Sequence, residues 1–422
     1  MKPGTGRRGT RMALLTTRNT RRLSAVCAAL GALVVTSATL APEAAAIDVQ
    51  SKEWYLDAMG ADDIWKISTG KGVKVAVIDT GVNSVTSSLR GQVLVEDVPK
   101  SMAYHVTHDQ DGHGTSMAEL IAGTGAGGGI KGLAPGAKII PFRVALGGVP
   151  GAEIDRMPDV ATAIRAAADS EAKIINMSFG APQFNEEEQA AVKHAVSKGK
   201  LVFAAIGNDG DKTNYEAYPA DYPGVIGVSA IDKSGTVGKF STYGDYVDLA
   251  APGKNIPSWC DGKFTEYCDT QGTSPASAIA SASAALVWSA HPDWTANQVL
   301  RTLIDTAGRS WPKDEPSKYL GYGGIRPRRV LINKDINPGP ADVDPLAKEN
   351  GDDASATPSP SAKSPSGKPT EDAGSADGPT SAAAQDTGSG SDTQTWVIIG
   401  AVAAVLLVGG AGFVVLRARR NA

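Results

Sequence analysis

The chain has 422 residues, 42% of them hydrophobic and 20% charged, which is ample for a sizeable core. Its 3 cysteines exclude a disulfide-built miniprotein and a four-cysteine zinc module. The net charge of −4 excludes a globally basic nucleic-acid binder, although it conceals 7 Lys and Arg against 1 acidic residue in residues 1–46 and 34 against 44 in the rest.

Residues 1–46 read as a secretory signal peptide. Arg7, Arg8, Arg11, Arg18, Arg21 and Arg22 precede an apolar run at 23–41, and Ala44-Ala45-Ala46 supplies the small residues of a cleavage site. The competing reading of the basic start, a nucleic-acid arm, is disfavoured by the apolar run that follows directly. Cleavage removes Cys27. Cys260 and Cys268 then remain, eight residues apart in a segment outside the cell, where a short loop-closing disulfide is the natural pairing.

Residues 47–334 are expected to form one globular domain. Short apolar runs at 73–78 (VKVAVI), 137–143, 173–177, 201–205 and 225–229 suit strands buried on both faces. Helical patterns lie between and after them, at 116–122, 158–169, 186–198, 278–289 and 296–306. Asn185 and Glu188 predict a capping box for the third of these, with Val192, Ala195 and Val196 facing inward, His194 on the surface and Gly199 closing it. Strands alternating with helices predict an α/β fold around a mostly parallel sheet, with any site beyond the strands' carboxyl ends.

Residues 335–395 lack aromatic residues and are rich in Pro, Ser and Ala, which predicts a disordered linker. The uncharged apolar run at 396–416 is long enough to cross a bilayer as a helix. Arg417, Arg419 and Arg420 in the tail 417–422 place that end in the cytoplasm. The domain would then be held on the outer side of the cell membrane by a single-pass anchor.

Three segments carry chemistry. In AVIDTGV, Asp79 ends a strand and offers a carboxylate at the sheet's rim; a turn-capping role is the bland alternative. In DGHGT, His113 is a group able to exchange a proton near neutral pH, with a glycine on each side. In GTSPAS, Ser274 sits where a helix begins, with Pro275 suited to the first helical position. A serine hydroxyl becomes nucleophilic when an imidazole takes its proton and a carboxylate orients that imidazole. Asn208, in AAIGNDG after a strand, can donate its amide to an oxyanion alongside the Ser274 N–H. His105, His108 and His291 lack a comparable setting. Gly123, Gly125 and Gly128 match a dinucleotide-binding spacing, but they follow a helix rather than a strand. No zinc-type spacing or calcium loop stands out, and no cofactor or metal is expected.

The segments AVIDTGV, DGHGTSMAELIAG, GLAPGAKIIPFRV, INMSFG, AAIGNDG, FSTYGDYVDLAAPG and GTSPASAIASA, in this order, resemble those of the subtilisin-like serine proteases, the subtilases. The resemblance implies a three-layer fold, catalytic Asp79, His113 and Ser274, and Asn208 in the oxyanion hole. It also implies that Ser178, Phe179 and Gly180 line a cleft where extended peptide pairs. Pro275 and Ala278 depart from the family's usual residues at those positions. The leader, the short extension before Asp79, the Pro-rich tether and the final apolar run are similar to the layout of the mycosins, proteases of type VII secretion systems. A polypeptide substrate and a secretion complex are then the implied partners. A general surface-tethered subtilase, or a scaffold of such a complex, is the alternative.

Overall fold

The computed structural model describes residues 49–351, apart from 147, 148 and 150. The sequence-predicted signal peptide, most of the linker, the membrane segment and the tail lie outside the described residues. Among the described residues no helix is long and apolar enough to cross a membrane.

Among the described residues there are eight strands: β1 (Lys74–Asp79), β2 (Lys138–Arg143), β3 (Ile174–Met177), β4 (Leu201–Ala205), β5 (Val225–Ile231), β6 (Leu249–Pro252), β7 (Lys254–Trp259) and β8 (Tyr267–Gln271). The helices are α1 (Trp54–Met59), α2 (Ala61–Trp65), α3 (His113–Ala122), α4 (Gly151–Ile154), α5 (Val160–Asp169), α6 (Glu186–Ser197), α7 (Thr273–Ala290), α8 (Ala296–Thr306) and α9 (Pro327–Ile332). Six strands form one parallel sheet in the order β2-β1-β3-β4-β5-β6, while β7 and β8 pair as an antiparallel hairpin.

Alternation along the strands divides the core into two layers. Val75, Val77, Leu201 and Phe203 face one apolar cluster with α3, α7, α8 and α9. Ala76, Ile78, Val202 and Ala204 face the other, with α5 and α6. A strand covered by helices on both faces must be apolar at every position, which is why these runs carry no polar alternation. Helix α7 crosses β3, β4, β5 and β6. Its Ala and Ser side chains between 276 and 285 are buried on every side, so a helix of small residues can lie close under the sheet.

Three expectations change. Asn185 caps α6 by accepting from the Glu187 and Glu188 amides, but the Glu188 carboxylate turns to the Tyr222 hydroxyl, so only half of a capping box forms. The inward stripe of α6 is Ala191, Val192 and Ala195; Val196 is 42% exposed, because the buried face turns away before it. The ordered chain also continues past 334. Leu346 is buried in the main core, Gln298 and Arg301 of α8 donate to the carbonyls of Gly339 and Val343, and Asn350 accepts from the Gly224 amide. One leucine and a set of hydrogen bonds to α8 and the turn before β5 fasten a segment whose composition predicts disorder.

Candidate active site

The carboxyl ends of β1, β3 and β4 and the first turns of α3 and α7 meet at one rim of the sheet. Asp79 ends β1 and is fully buried. Its Oδ1 accepts from the Thr80 amide at 2.8 Å and from His113 Nδ1 at 2.7 Å. His113 is the first residue of α3. Gly114 allows the approach: a Cβ there would stand 2.2 Å from the Gly81 carbonyl and 3.0 Å from Asp79 Cβ. Gly112 turns the chain into α3 at φ 83°, where a side chain would strike the Asp261 carbonyl of the β7–β8 hairpin.

Burial alone pushes the His113 imidazole down, yet Asp79, by charge and hydrogen bond, with Asp111 and Asp109 behind it, raises it to about 9. The hydrogen bond at Nδ1 assigns that nitrogen the proton in the neutral ring and leaves Nε2 as the acceptor. His113 keeps 32% of its side chain exposed, so the ring is not closed off from solvent.

Ser274 is the second residue of α7, not the residue before it, and Pro275 is the third. The first four N–H groups of a helix have no intrahelical acceptor, so proline at the third position forfeits nothing. The Ser274 hydroxyl donates to the Ser178 carbonyl at 2.8 Å, and Ser178 Oγ donates back to the Ser274 carbonyl at 3.0 Å. No hydrogen bond joins Ser274 to His113 among the described residues. The structure therefore brings Asp79 and His113 into contact and sets the Ser274 hydroxyl, at the start of α7, against the carbonyl of Ser178 just after β3.

Asn208 follows β4. Its Oδ1 accepts from the Thr273 amide at 2.9 Å, and its Nδ2 makes no hydrogen bond among the described residues. Holding the amide by its oxygen leaves the NH2 as a donor beside the start of α7. Ser178, Phe179 and Gly180 leave β3 on the other side of α7's first turn. A Cβ on Gly180 would lie 3.2 Å from the Ala205 carbonyl and from Ala217 Cβ, so the segment after β3 packs closely on the end of β4.

Sequence reasoning missed two polar residues that build this rim. Asn176, buried within β3, accepts from the hydroxyls of Ser277 at 3.0 Å and Ser281 at 3.1 Å, and donates to Ser178 Oγ at 2.9 Å. It sets the rotation of α7 about its axis; the signal was a lone amide in an otherwise apolar strand. Asp109 sits beneath the turn into α3, and its signal was only an acidic residue four positions before His113. Cys260 and Cys268 are joined and close the β7–β8 hairpin, with their Cα atoms 5.1 Å apart. Among the described residues no group of three or more His, Cys, Asp or Glu could hold a metal ion.

A family model described as the subtilase family matches residues 70–323. The thermostable alkaline protease of Halalkalibacterium halodurans is 35% identical over 238 residues, which span 56% of this chain and 63% of that protein. The crystal structure of MycP1 with its N-terminal propeptide removed is 29% identical, with a TM-score of 0.56, covering 68% of this chain and 99% of that one. A structure of the serine protease MycP1 described as an essential component of the type VII (ESX-1) secretion system is 31% identical, with a TM-score of 0.54, covering 66% of this chain and 88% of that one. With the family model matched across the sheet and both helices of the rim, the chain belongs to the subtilase family of serine proteases.

Proposed function

We propose that this protease is a membrane-anchored extracytoplasmic endopeptidase in which Asp79, His113 and Ser274 form the triad, and that it works with a type VII secretion system. The observation that carries the reading is the 2.7 Å contact between Asp79 and His113 Nδ1 at the same rim of the sheet as the first turn of α7, which carries Ser274. The likeness to MycP1 supports the secretion role, and the apolar run at 396–416 supports the anchor.

In this mechanism the Ser274 side chain swings off the Ser178 carbonyl toward His113 Nε2. Its oxygen attacks the scissile carbonyl carbon while the imidazole takes the hydroxyl proton. Asn208 Nδ2 and the Ser274 N–H, which has no intrahelical acceptor, receive the oxyanion. Collapse breaks the C–N bond as His113 gives its proton to the leaving amine. Water, activated by the same imidazole, then hydrolyses the acyl ester. Asp79 stabilises the imidazolium throughout. Substrate backbone paired along Ser178–Gly180 brings the scissile bond to the rim. No cofactor enters the scheme.

Ser274→Ala should abolish hydrolysis of a peptide anilide while leaving thermal unfolding unchanged, since one hydroxyl at a rim is lost. Comparing the termini of cell-surface and secreted proteins with and without this substitution reads the biological role. A small set of altered exported proteins supports a dedicated secretion protease. Broad changes point instead to a general surface subtilase, and wild-type hydrolysis by Ser274→Ala sinks the triad.

A further inference from the structure

We infer that Asp109 is a positioning residue of this protease, holding the His113 turn of α3 against the Asp79 end of β1. The inference rests on the triad reading above. Asp109 is 3% exposed, and both of its carboxylate oxygens are saturated with donors. Oδ1 accepts from Thr80 Oγ1 at 2.9 Å, the Gly112 amide at 2.8 Å and the Asp111 amide at 3.2 Å. Oδ2 accepts from the Thr115 amide at 2.8 Å and Thr115 Oγ1 at 2.6 Å. These donors flank His113 on both sides. Thr80, the neighbour of Asp79, closes the circuit: its hydroxyl gives its proton to Asp109 and accepts from the Gly114 amide at 2.9 Å.

The orientation of His113 toward Asp79 is therefore set by a carboxylate that hydrogen-bonds to neither side chain. Asp109 accepts two otherwise free amides at the start of α3 and adds negative charge where the helix dipole is positive. An amide of the same shape cannot replace it. Because both oxygens accept, asparagine must turn its NH2 group against one of the two donor sets. Loss of the circuit lets the Gly112–Thr115 turn relax, and a ring displaced by a fraction of an ångström is a poorer base. The charged groups around the imidazole are Asp79 from β1 and Asp109 and Asp111 from its own loop. Behind Thr80 lies buried Arg143 of β2, paired with Glu153, and the hairpin contributes Asp261, whose backbone carbonyl meets Gly112. Apart from Asp79 itself, Asp109 is the one among them that bonds both to Thr80 and to the turn, and it alone takes the turn's backbone amides.

The test uses the full-length chain, a peptide p-nitroanilide and rates per folded molecule across pH. Asp109→Asn should lower kcat by about 10- to 100-fold with KM nearly unchanged. The midpoint of the acid limb should move down, because an anion that supports the imidazolium is gone. A merely structural role would lower thermal stability and move neither quantity. Folded Asp109→Asn with wild-type kcat and midpoint overturns the inference. If that variant does not fold, Thr80→Val removes the same link from the other side and Thr80→Ser restores it. Loss in the first with recovery in the second supports the inference, and wild-type kinetics in Thr80→Val overturns it. Ser274→Ala and His113→Ala run alongside. Turnover surviving in them overturns the triad and the inference together, whereas loss in them beside a wild-type-like Asp109→Asn overturns the inference alone.

Discussion

In the proposed triad His113 can act as a base only when its ring is neutral, and the neighbouring carboxylates oppose that state. With the imidazole raised to about 9, kcat/KM should climb with pH along a limb displaced upward from the ordinary histidine value of 6.5. Stability runs the other way. The imidazolium pair contributes fully below pH 6.5 and is lost as pH rises through about 9, so optimum activity and maximum stability should separate. A pH–rate profile beside a pH series of thermal unfolding checks both. Asn208→Ala should lower kcat by roughly 100- to 1,000-fold with little change in KM, because its donor matters once the oxyanion forms. Asn176→Leu tests stability at this scale. It strands the hydroxyls of Ser277 and Ser281 in the core and takes a donor from Ser178 Oγ, and denaturant titration should show a loss of about 2–3 kcal/mol.

Helix α3 carries His113 at one end and fully buried Glu119 near the other. The Glu119 carboxyl receives Thr86 Oγ1 at 2.7 Å and the Tyr267 hydroxyl of β8 at 3.1 Å, while the Trp259 amide of β7 donates to Ser116 Oγ at 2.9 Å. The cystine hairpin is thus fastened along the length of the helix. Burial raises Glu119 to about 7, against which its hydroxyl partners pull only partly. A carboxyl raised on folding stabilises most below its unfolded value of 4.5, and that contribution is lost as pH rises through about 7. Glu119→Gln should therefore raise Tm at pH 8 and change it little at pH 4.5. An equal shift at both values would show that Glu119 does not carry the ionisation. The cystine itself should add about 2–3 kcal/mol by closing so short a loop, read as the Tm difference with Cys260→Ser/Cys268→Ser.

Across the whole molecule, the residues before β1 are part of the core. Tyr55 and Ile64 are fully buried, the indoles of Trp54 and Trp65 donate to the carbonyls of Lys254 and Leu133, and the Tyr55 hydroxyl donates to Lys131. Arg328 of α9 pairs with Asp63 of α2 at 2.9 Å. None of these bonds reaches Asp79, His113, Asn208 or Ser274. A segment that fills core without covering the site restrains nothing by being present, and removing it would expose apolar surface. N-terminal sequencing of the mature membrane form should begin near Ile47. A start beyond Trp65 accompanied by a gain of activity would instead mark the segment as an inhibitory pro-peptide. Truncation before Trp396 should release the protease from membranes with its peptide hydrolysis intact, as fractionation and assay would show.

Strands β1 to β5, helices α3 and α5 to α8, and the glycines beside His113 were legible in the sequence, because apolar runs, caps and turn residues act over a few neighbours. The tertiary structure alone decided what bonds across long stretches of chain. Asn176 needed α7 laid under β3 before its serines arrived, and Asp109 needed β1 beside it before Thr80 could close the circuit. The Ser274 rotamer, the partners of Glu119 and the docking of residues 335–351 have the same origin. A buried polar side chain reads in sequence as an interruption of an apolar pattern. Its meaning lies in which distant donors the fold delivers to satisfy it, and no local signal encodes that delivery.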